Sequence, residues 1–303
     1  MLDLGTEITG VTFQNPVLTA SGTFGYGVEF APLFDLNLLG GIVVKGLSAA
    51  PIEGNPPPRL VPTASGMLNS IGLQNVGVKK FIETKLPFLR TLKARTIVNV
   101  FGTSVQEYLE CIRLLNDAEG IAIYELNISC PNTSRGGAEF SSDPSLTREI
   151  VASVKKAAQR PLWVKLSPNV GDLQVIARAA VDAGADALTL ANTYLGMAID
   201  VETRRPRIPR LVAGLSGPAI KPLALRAVYQ TARGIAVPLI AAGGISTAAD
   251  ALEFLIAGAS AVEVGTANFY DPTATLKIIK GIEAYCLRKK ISVLRELIGS
   301  IAL

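Results

Sequence analysis

Cys130 is the residue of this sequence best placed to move a proton. The chain has no histidine, the side chain most often used for proton transfer near neutral pH. In the segment NISCPNTSRGGAEF, Pro131 ends a β-like run, Gly136 and Gly137 allow the following loop to move, and Arg135 adds a positive charge. A thiol with an ordinary pKa of about 8.5 serves as a base when its surroundings perturb that pKa modestly. We therefore predict that Cys130 is the catalytic base.

Other polar residues also stand at the ends of short β-branched runs. Taken singly, each lysine is more often a strand-end solubiliser, and each asparagine can simply cap a loop. A buried lysine or asparagine costs several kcal/mol unless it is paired, so their convergence on one mouth predicts a polar ligand there. The polar residues concerned are Ser21, Lys45, Asn99, Asn127, Lys165, Asn192 and Thr193, and Gly46 directly follows Lys45.

Two glycine-rich turns, AAGGIST and VGTAN, follow the last two β-like runs. Backbone N–H groups at Gly243, Gly244, Gly265 and Thr266 could approach an anion, as they do where barrels bind phosphate. The alternative is that these turns need glycine for their geometry alone. No GxGxxG motif follows a first strand, so the pattern favours a mononucleotide such as FMN over a nicotinamide dinucleotide.

The elements that must position these residues alternate between short apolar runs and longer helical stretches. Runs that are apolar on both faces are typical of buried parallel strands, and eight of them predict a closed barrel. An open doubly wound sheet is the alternative. We predict one α/β domain over residues 1–303, a single (β/α)8 or TIM barrel. The runs are 16–22, 41–46, 96–102, 124–130, 162–168, 187–192, 239–244 and 261–266.

Helix punctuation supports the repeated units: Gly184 and Gly258 stand where C-terminal capping glycines belong, and Thr247 with Asp250 forms a possible capping box. Two connections, 47–76 and 193–216, are too long for simple loops, and insertions at the carboxyl ends of strands often carry function. The second contains four arginines, which indicate either a solvated surface or a partner-facing rim. They are Arg204, Arg205, Arg207 and Arg210.

Composition narrows the functional classes. The 303 residues carry a net charge of only +4, which does not imply nucleic-acid binding. No apolar run reaches the roughly eighteen residues that a membrane helix needs, and no secretory pattern opens the chain, so we expect a soluble cytoplasmic protein. Cys111, Cys130 and Cys286 form no CxxC pair, so no disulfide framework, metal site or iron–sulfur site is predicted in this chain. Cys111 and Cys286 fit small buried hydrophobes.

Taken together, the motifs resemble the class 1 dihydroorotate dehydrogenases over essentially the whole chain. TASGTFGYG, VVKGLS, MLNSIGLQN, NISCPN, VKLSPN, ANTYLGMAID, LSGPAIKP, AAGGI and VGTAN are similar to that family's segments, in its order. MLNSIGLQN, NTYLGMAID and LSGPAIKP look more like class 1B, whose catalytic subunit works beside a subunit carrying FAD and a 2Fe-2S cluster. The resemblance implies a homodimer within a heterotetramer.

The resemblance also implies roles for individual residues. Cys130 would take the proton from C5 of dihydroorotate while the C6 hydride passes to N5 of FMN. The pyrimidine would be bound by Lys45, Asn69, Ser70, Ile71, Gly72, Leu73, Asn127, Asn192 and Thr193. FMN would contact Ser21, Lys45, Gly46, Asn99, Asn127, Lys165, Ala191, Gly217, Gly243, Gly244, Gly265 and Thr266. The family often has a larger aliphatic residue at position 191, which a backbone contact would tolerate.

The leading interpretation is therefore oxidation of dihydroorotate to orotate in pyrimidine biosynthesis, with electrons leaving FMN through the partner subunit to NAD. A class 1A enzyme with fumarate as acceptor is the close alternative. A tRNA-modifying flavin barrel that makes dihydrouridine would need a basic RNA-binding surface, which the sequence lacks. A flavin-free phosphate-binding lyase and a non-catalytic scaffold are further alternatives.

Overall fold

The computed structural model describes residues 2–129, 131–132 and 138–302, and its centre is a closed barrel of eight parallel strands. Each strand pairs with its neighbours in chain order, and the eighth returns to the first through Val262 opposite Val17. This confirms the predicted (β/α)8 barrel and excludes the open sheet. The strands are β1 (Val17–Thr19), β2 (Gly41–Val43), β3 (Arg95–Val100), β4 (Ile123–Asn127), β5 (Leu162–Lys165), β6 (Ala187–Leu190), β7 (Leu239–Ala242) and β8 (Ala261–Val264).

Helices pack around the barrel, and their apolar faces bury against the strands. Among the described residues they are α1 (Val78–Thr84), α2 (Leu86–Leu89), α3 (Val105–Asn116), α4 (Pro144–Ala157), α5 (Leu173–Asp182), α6 (Lys221–Ala232), α7 (Ala248–Ile256), α8 (Ala267–Tyr270) and α9 (Ala274–Lys289). They surround the strands on the outside, as the alternating pattern requires.

The predicted helix punctuation is confirmed. Gly184 and Gly258 follow α5 and α7 with φ of 102° and 118°, conformations that favour glycine. At α5 the N–H of Gly184 bonds to Val181 O and that of Ala185 to Ala180 O, which is a Schellman motif. The side chain of Thr247 and that of the residue three positions later form a reciprocal capping box at the start of α7.

The amino-terminal end of the barrel is closed by an antiparallel hairpin, Thr6–Ile8 with Val11–Phe13. Ile8 and Phe13 are fully buried against an apolar layer inside the barrel. Trp163 on β5 belongs to this layer, and its Nε1 donates a 3.1 Å hydrogen bond to Thr9 Oγ1. The polar part of the interior therefore lies toward the opposite, carboxyl end of the strands.

The two long connections come together above that carboxyl end. They form a four-stranded antiparallel sheet, the cap sheet, in the order Tyr194–Gly196, Ala213–Ser216, Gly66–Asn69 and Leu60–Thr63. A hairpin, Ile199–Asp200 with Arg205–Pro206, extends from it. The predicted insertions are thus ordered structures over the mouth, although the sequence showed them only as long connections.

The four arginines of the second insertion are exposed, and none of their side chains forms an ion pair or hydrogen bond within the described ranges. The structure is compatible with both predicted interpretations of this segment.

Within residues 2–129, 131–132 and 138–302, no helix is long and apolar enough to cross a membrane. The same ranges contain no cluster of three or more His, Cys, Asp or Glu side chains suited to a metal ion.

Candidate active site

A buried ionic cluster occupies the barrel interior just below the mouth. Nζ of Lys165 lies 2.7 Å from Oε2 of Glu263 and 3.6 Å from Oε1 of Glu125. Asn99 Nδ2 donates a 2.6 Å hydrogen bond to Glu125 Oε1, and Thr189 Oγ1 donates a 2.8 Å bond to Glu125 Oε2. Asn99 and Lys165, both predicted site residues, are therefore linked through Glu125 on β4. Glu263 on β8 binds Lys165, and Thr189 on β6 binds Glu125.

Burial and charge act against each other in this cluster. Burial lowers the pKa of Lys165, but Glu125 and Glu263 outweigh it and hold that pKa above its ordinary value. Burial raises the pKa of Glu125, whereas the Lys165 charge and several hydrogen bonds bring it below its ordinary value. Burial and the neighbouring Glu125 raise the pKa of Glu263 well above its ordinary value. Lys165 thus carries a fixed positive charge at the mouth.

A second cluster, of neutral polar groups, lies beside the first. Asn127 on β4 is in register with Lys165. Its Oδ1 accepts a 2.5 Å hydrogen bond from Ser129 Oγ and a 3.3 Å bond from Asn192 Nδ2. Asn192 Oδ1 accepts from the N–H of Thr193 at 2.8 Å. The structure therefore brings Asn127, Asn192 and Thr193 together, as predicted, and each amide offers both donors and acceptors.

The cap sheet adds Asn69 to this group. Asn69 Nδ2 donates a 3.1 Å hydrogen bond to Gly214 O, and Gly214 packs so tightly that a Cβ there would lie 2.4 Å from Thr193 Oγ1. The following segment, Ser70, Ile71, Gly72 and Leu73, is tied down by Asn55, whose N–H bonds to Ile71 O and whose Nδ2 bonds to Ser70 O, both at 2.9 Å. Gly72 and Leu73 both have positive φ, at 74° and 59°.

Lys45 follows β2 at the mouth but is not hydrogen-bonded to either cluster. Its backbone N–H bonds to Gly25 O at 2.8 Å, and its ammonium group forms no ion pair with the described residues. Burial, followed by the charge of Arg59, lowers the pKa of Lys45. The charge of Glu29 opposes both effects, but no carboxylate of the described residues lies within ion-pair distance, so this partly buried ammonium group is well suited to an anionic ligand such as a carboxylate.

The glycines predicted at the flavin site hold the backbone in close packing. A Cβ at Gly46 would lie 2.7 Å from Asn99 Oδ1, and one at Gly244 would lie 2.7 Å from the backbone of Lys221. Gly217 has φ of 93° and would place a Cβ 2.8 Å from Gly66 Cα. No larger residue fits at these positions without movement of its neighbours.

Whether the site suits FMN depends on the hydrogen-bond donors of the turns after β7 and β8. Thr266 Oγ1 donates a 2.8 Å hydrogen bond to Ser216 Oγ, which ties the β8 turn to the cap sheet. The N–H groups of Gly244, Gly265 and Thr266 donate no hydrogen bond to any described residue. Three unpaired donors on two adjacent turns suit a phosphate group. The fixed cation at Lys165 lies inside the same mouth, so these residues fit FMN.

Two further predicted flavin contacts lie at strand ends. Ser21 follows β1 and is partly exposed, while Ala191 follows β6 and is buried, with its N–H bonded to Ala242 O at 2.9 Å. Cys130 lies outside the described residues, so its role stays a prediction. Its sequence neighbour Ser129 belongs to the cluster around Asn127.

Sequence reasoning missed Glu125 and Glu263 because it considered the ends of strands rather than their interiors. The available signal was an acidic residue between apolar neighbours, in YELNI and AVEVG. A charged side chain in such a buried strand needs a partner, since an unpaired buried charge is very costly. Ser129, too, was missed, because a serine in a loop carries no distinctive signal.

Comparisons with known proteins agree with this geometry. The family model described as dihydroorotate dehydrogenase matches residues 3–286. The chain belongs to the dihydroorotate dehydrogenase family. The predicted resemblance is thereby confirmed over nearly the entire chain, including the barrel and both cap-sheet insertions.

Relatives within the dihydroorotate dehydrogenase family carry two kinds of name. The chain is 56% identical to a protein of Solibacter usitatus provisionally named dihydroorotate dehydrogenase A (fumarate), over 98% of each chain. It is 54% identical to the dihydroorotate dehydrogenase B (NAD(+)), catalytic subunit, of Geotalea uraniireducens, over 99% of this chain and 98% of that one. Identity to the protein of the same name in Geobacter sulfurreducens is 52%, with the same coverage.

Proposed function

We propose that this protein oxidises (S)-dihydroorotate to orotate, the dehydrogenation step of pyrimidine biosynthesis, with one FMN per chain, in the cytoplasm. The observation that carries the proposal is the pairing of a family match over residues 3–286 with a polar barrel mouth whose donors suit FMN. Residues 1–303 would form one FMN-binding domain. When bound, FMN supplies the acceptor for the C6 hydride.

The chain's own residues would bind and orient the pyrimidine. Asn69, Asn127 and Asn192 present amide donors and acceptors that match the alternating groups of a planar amide ring. Lys45, which has no counterion among the described residues, would pair with the substrate carboxylate. Thr193, held beside Asn192, would complete the ring contacts.

Proton and charge movements would be divided between two residues. Cys130 would accept the C5 proton, because it is next in sequence to Ser129, which belongs to the cluster around Asn127, and the chain has no histidine to compete for that role. Lys165, whose positive charge Glu125 and Glu263 hold in place, would stabilise the negative charge that develops beside it during hydride transfer. The cap sheet would exclude water from above the mouth.

Electrons would then leave through a separate subunit that carries FAD and a 2Fe-2S cluster, with NAD as the final acceptor. Support comes from the relatives named as catalytic subunits of the NAD(+)-dependent B type. The exposed apolar side chains of the 193–216 segment, among them Leu195, Met197 and Val201, provide surface for protein contacts in a homodimer within a heterotetramer. Direct reoxidation by fumarate is the second candidate, because the Solibacter usitatus relative is named for it.

Assays of the purified chain test both parts of the proposal. The protein should be yellow with one FMN, and anaerobic dihydroorotate should bleach it with release of orotate. Fumarate should reoxidise the isolated chain poorly, and NAD should be reduced only when the partner subunit is added. A colourless preparation without FMN affinity would overturn the flavin reaction. Efficient turnover with fumarate by the chain alone would overturn the partner route and leave the reaction itself standing.

A further inference from the structure

The cluster around Lys165 contains one more ionisable acid than its charge can balance. Glu125 on β4 and Glu263 on β8 reach into the barrel from nearly opposite strands, and neither has any exposed surface. Lys165 contacts both, at 3.6 Å and 2.7 Å. The neighbours of Glu263 in register, Leu18 and Ala242, are uncharged. With both carboxyl groups ionised, the cluster would hold an uncompensated negative charge inside the protein.

The two carboxyl groups bind the same ammonium group, so they lie close together, and both are fully buried. An ionised carboxylate can only accept hydrogen bonds, so the two acids can hydrogen-bond to each other only if one of them carries a proton. The same proton brings the cluster to zero net charge, with one ammonium group, one carboxylate and one carboxylic acid. The proximity of the acids and charge balance therefore favour the same protonation state.

The surrounding donors indicate which acid holds the proton. Both oxygens of Glu125 accept a hydrogen bond, as those of a carboxylate do: Asn99 donates to Oε1 and Thr189 to Oε2. Glu263 accepts from Lys165 through Oε2, whereas its Oε1 is buried and finds no donor among the described residues. An oxygen that receives no hydrogen bond is the natural site for the proton of a carboxylic acid.

We propose that Glu263 is a neutral carboxylic acid that shares its proton with Glu125, and that the pair are positioning residues which hold the Lys165 ammonium in a cluster of zero net charge. Neither acid is a catalytic residue, since both act through Lys165. The effect on flavin rests on the proposed function: with FMN bound in the mouth, the net charge of the cluster would contribute to the redox potential of the flavin.

This protonation state makes an unusual prediction for amide variants. Glu263→Gln leaves Glu125 to balance Lys165, and Glu125→Gln leaves Glu263 to ionise and do the same. In each single variant the net charge of the cluster thus stays zero, but no protonated acid remains. Only the double variant, Glu125→Gln with Glu263→Gln, leaves Lys165 without a counterion and raises the net charge of the cluster by one.

Infrared spectroscopy of the protein without flavin tests the proton directly. At neutral pH the wild type should show the carbonyl stretch of a buried carboxylic acid, with a shift in D2O, and Glu263→Gln should abolish it. Glu283→Gln, at an exposed acid on α9 outside all observed ion pairs, is the matched control and should keep the band. A wild-type spectrum without the band, or one that Glu263→Gln leaves unchanged, would overturn the proposal even if the double variant cannot be folded.

The midpoint potential of bound FMN supplies the second readout. Both single variants should stay close to the wild type, and the double variant should shift to a clearly more positive potential, since an extra cation favours the reduced flavin. Equal positive shifts in the two single variants would mean that both acids are ionised in the wild type, which contradicts the proposal. Failure to bind FMN would instead refute the proposed function, and the infrared band would still decide the protonation state.

Discussion

Asn99 donates from Nδ2 to Oε1 of Glu125 at 2.6 Å, and this bond turns the other end of its amide, Oδ1, toward the mouth. There Oδ1 meets Gly46, where a Cβ would lie only 2.7 Å away. The orientation of the amide is therefore determined from both sides, by a buried carboxylate below and a glycine backbone beside it. Two substitutions probe the two sides separately.

Asn99→Asp should destabilise the protein because it replaces the donor that faces Glu125 with a second acceptor. We expect the free energy of unfolding to fall by about 1–3 kcal/mol, the cost of a buried acceptor left without its donor. Chemical denaturation followed by circular dichroism measures this. Gln159→Glu makes the same amide-to-acid change at an exposed residue and should be nearly neutral. Equal stabilities for the two variants would contradict the assigned hydrogen bond.

Gly46→Ala should weaken FMN binding, since the new methyl group would push against Asn99 Oδ1 and against Phe101, which lies 3.1 Å away. Overpacking of this kind costs about 1–3 kcal/mol, and we expect roughly that loss in flavin affinity or in stability. Fluorescence titration of FMN into the apoprotein measures the first. Gly171→Ala is the control, because nothing lies within 4 Å of a Cβ at that position. A variant with normal affinity and stability would show that the mouth is looser than this packing implies.

Cys130→Ser should lower turnover of dihydroorotate by about 10²–10⁴-fold near neutral pH, the usual contribution of a general base. Activity should partly recover as pH rises, because a serine hydroxyl is a far weaker base, while FMN stays bound. Steady-state rates between neutral and alkaline pH measure both effects. Cys286→Ala is the control, since burial raises the pKa of that thiol and its position on α9 is outside the mouth. Unchanged turnover in Cys130→Ser would refute the proposed role.

Stability should decrease with rising pH because of Glu263. In the unfolded chain this acid releases its proton above its ordinary pKa of 4.5, whereas the raised pKa in the folded protein retains it. Unfolding then releases a proton, so the contribution of Glu263 is fully present below pH 4.5 and is lost as pH rises toward the folded pKa. The slope should approach 1.4 kcal/mol per pH unit.

Denaturant titrations of the wild type and of Glu263→Gln at pH 5, 6, 7 and 8 isolate this slope, because other groups cancel in the difference. Glu125 has the opposite sign: its lowered pKa contributes stability above the ordinary value, which is lost only as the solution is acidified through the folded pKa. Parallel stability curves for the two proteins would exclude a raised pKa at Glu263.

The barrel could be predicted from sequence because parallel strands that are buried on both faces appear as apolar runs, and α-helices lie in six of the seven connections between the eight runs. The observed strands stop before the ends of those runs. β2 ends at Val43 while the run continues to Gly46, and β6 ends at Leu190 while the run continues to Asn192. Some predicted site residues, such as Lys45 and Asn192, lie just beyond these strand ends, where backbone freed from strand pairing can turn polar groups into the mouth. Asn99, Asn127 and Lys165 instead lie within their strands.

The cap sheet and the carboxyl pair could not be predicted in the same way. Asn69 and Gly214, which bond across two cap strands, are 145 positions apart in sequence, and no local pattern specifies such a pairing. Glu125 and Glu263 are 138 positions apart, by subtraction of their numbers, and their partnership depends on closure of the barrel. The strands can be predicted from the local pattern of apolar residues, whereas contacts across the barrel depend on its closure and leave no local pattern.

The hairpin that closes the amino-terminal end has a consequence for isotope exchange. Ile8, Phe13 and Trp163 form an apolar layer that closes the amino-terminal end of the barrel. D2O would therefore reach the acid proton of Glu263 through the mouth, at the carboxyl end. A molecule seated in the mouth would then slow deuterium uptake at that carboxyl group. The exchange rate of a single buried hydrogen would report occupancy of the site without any turnover.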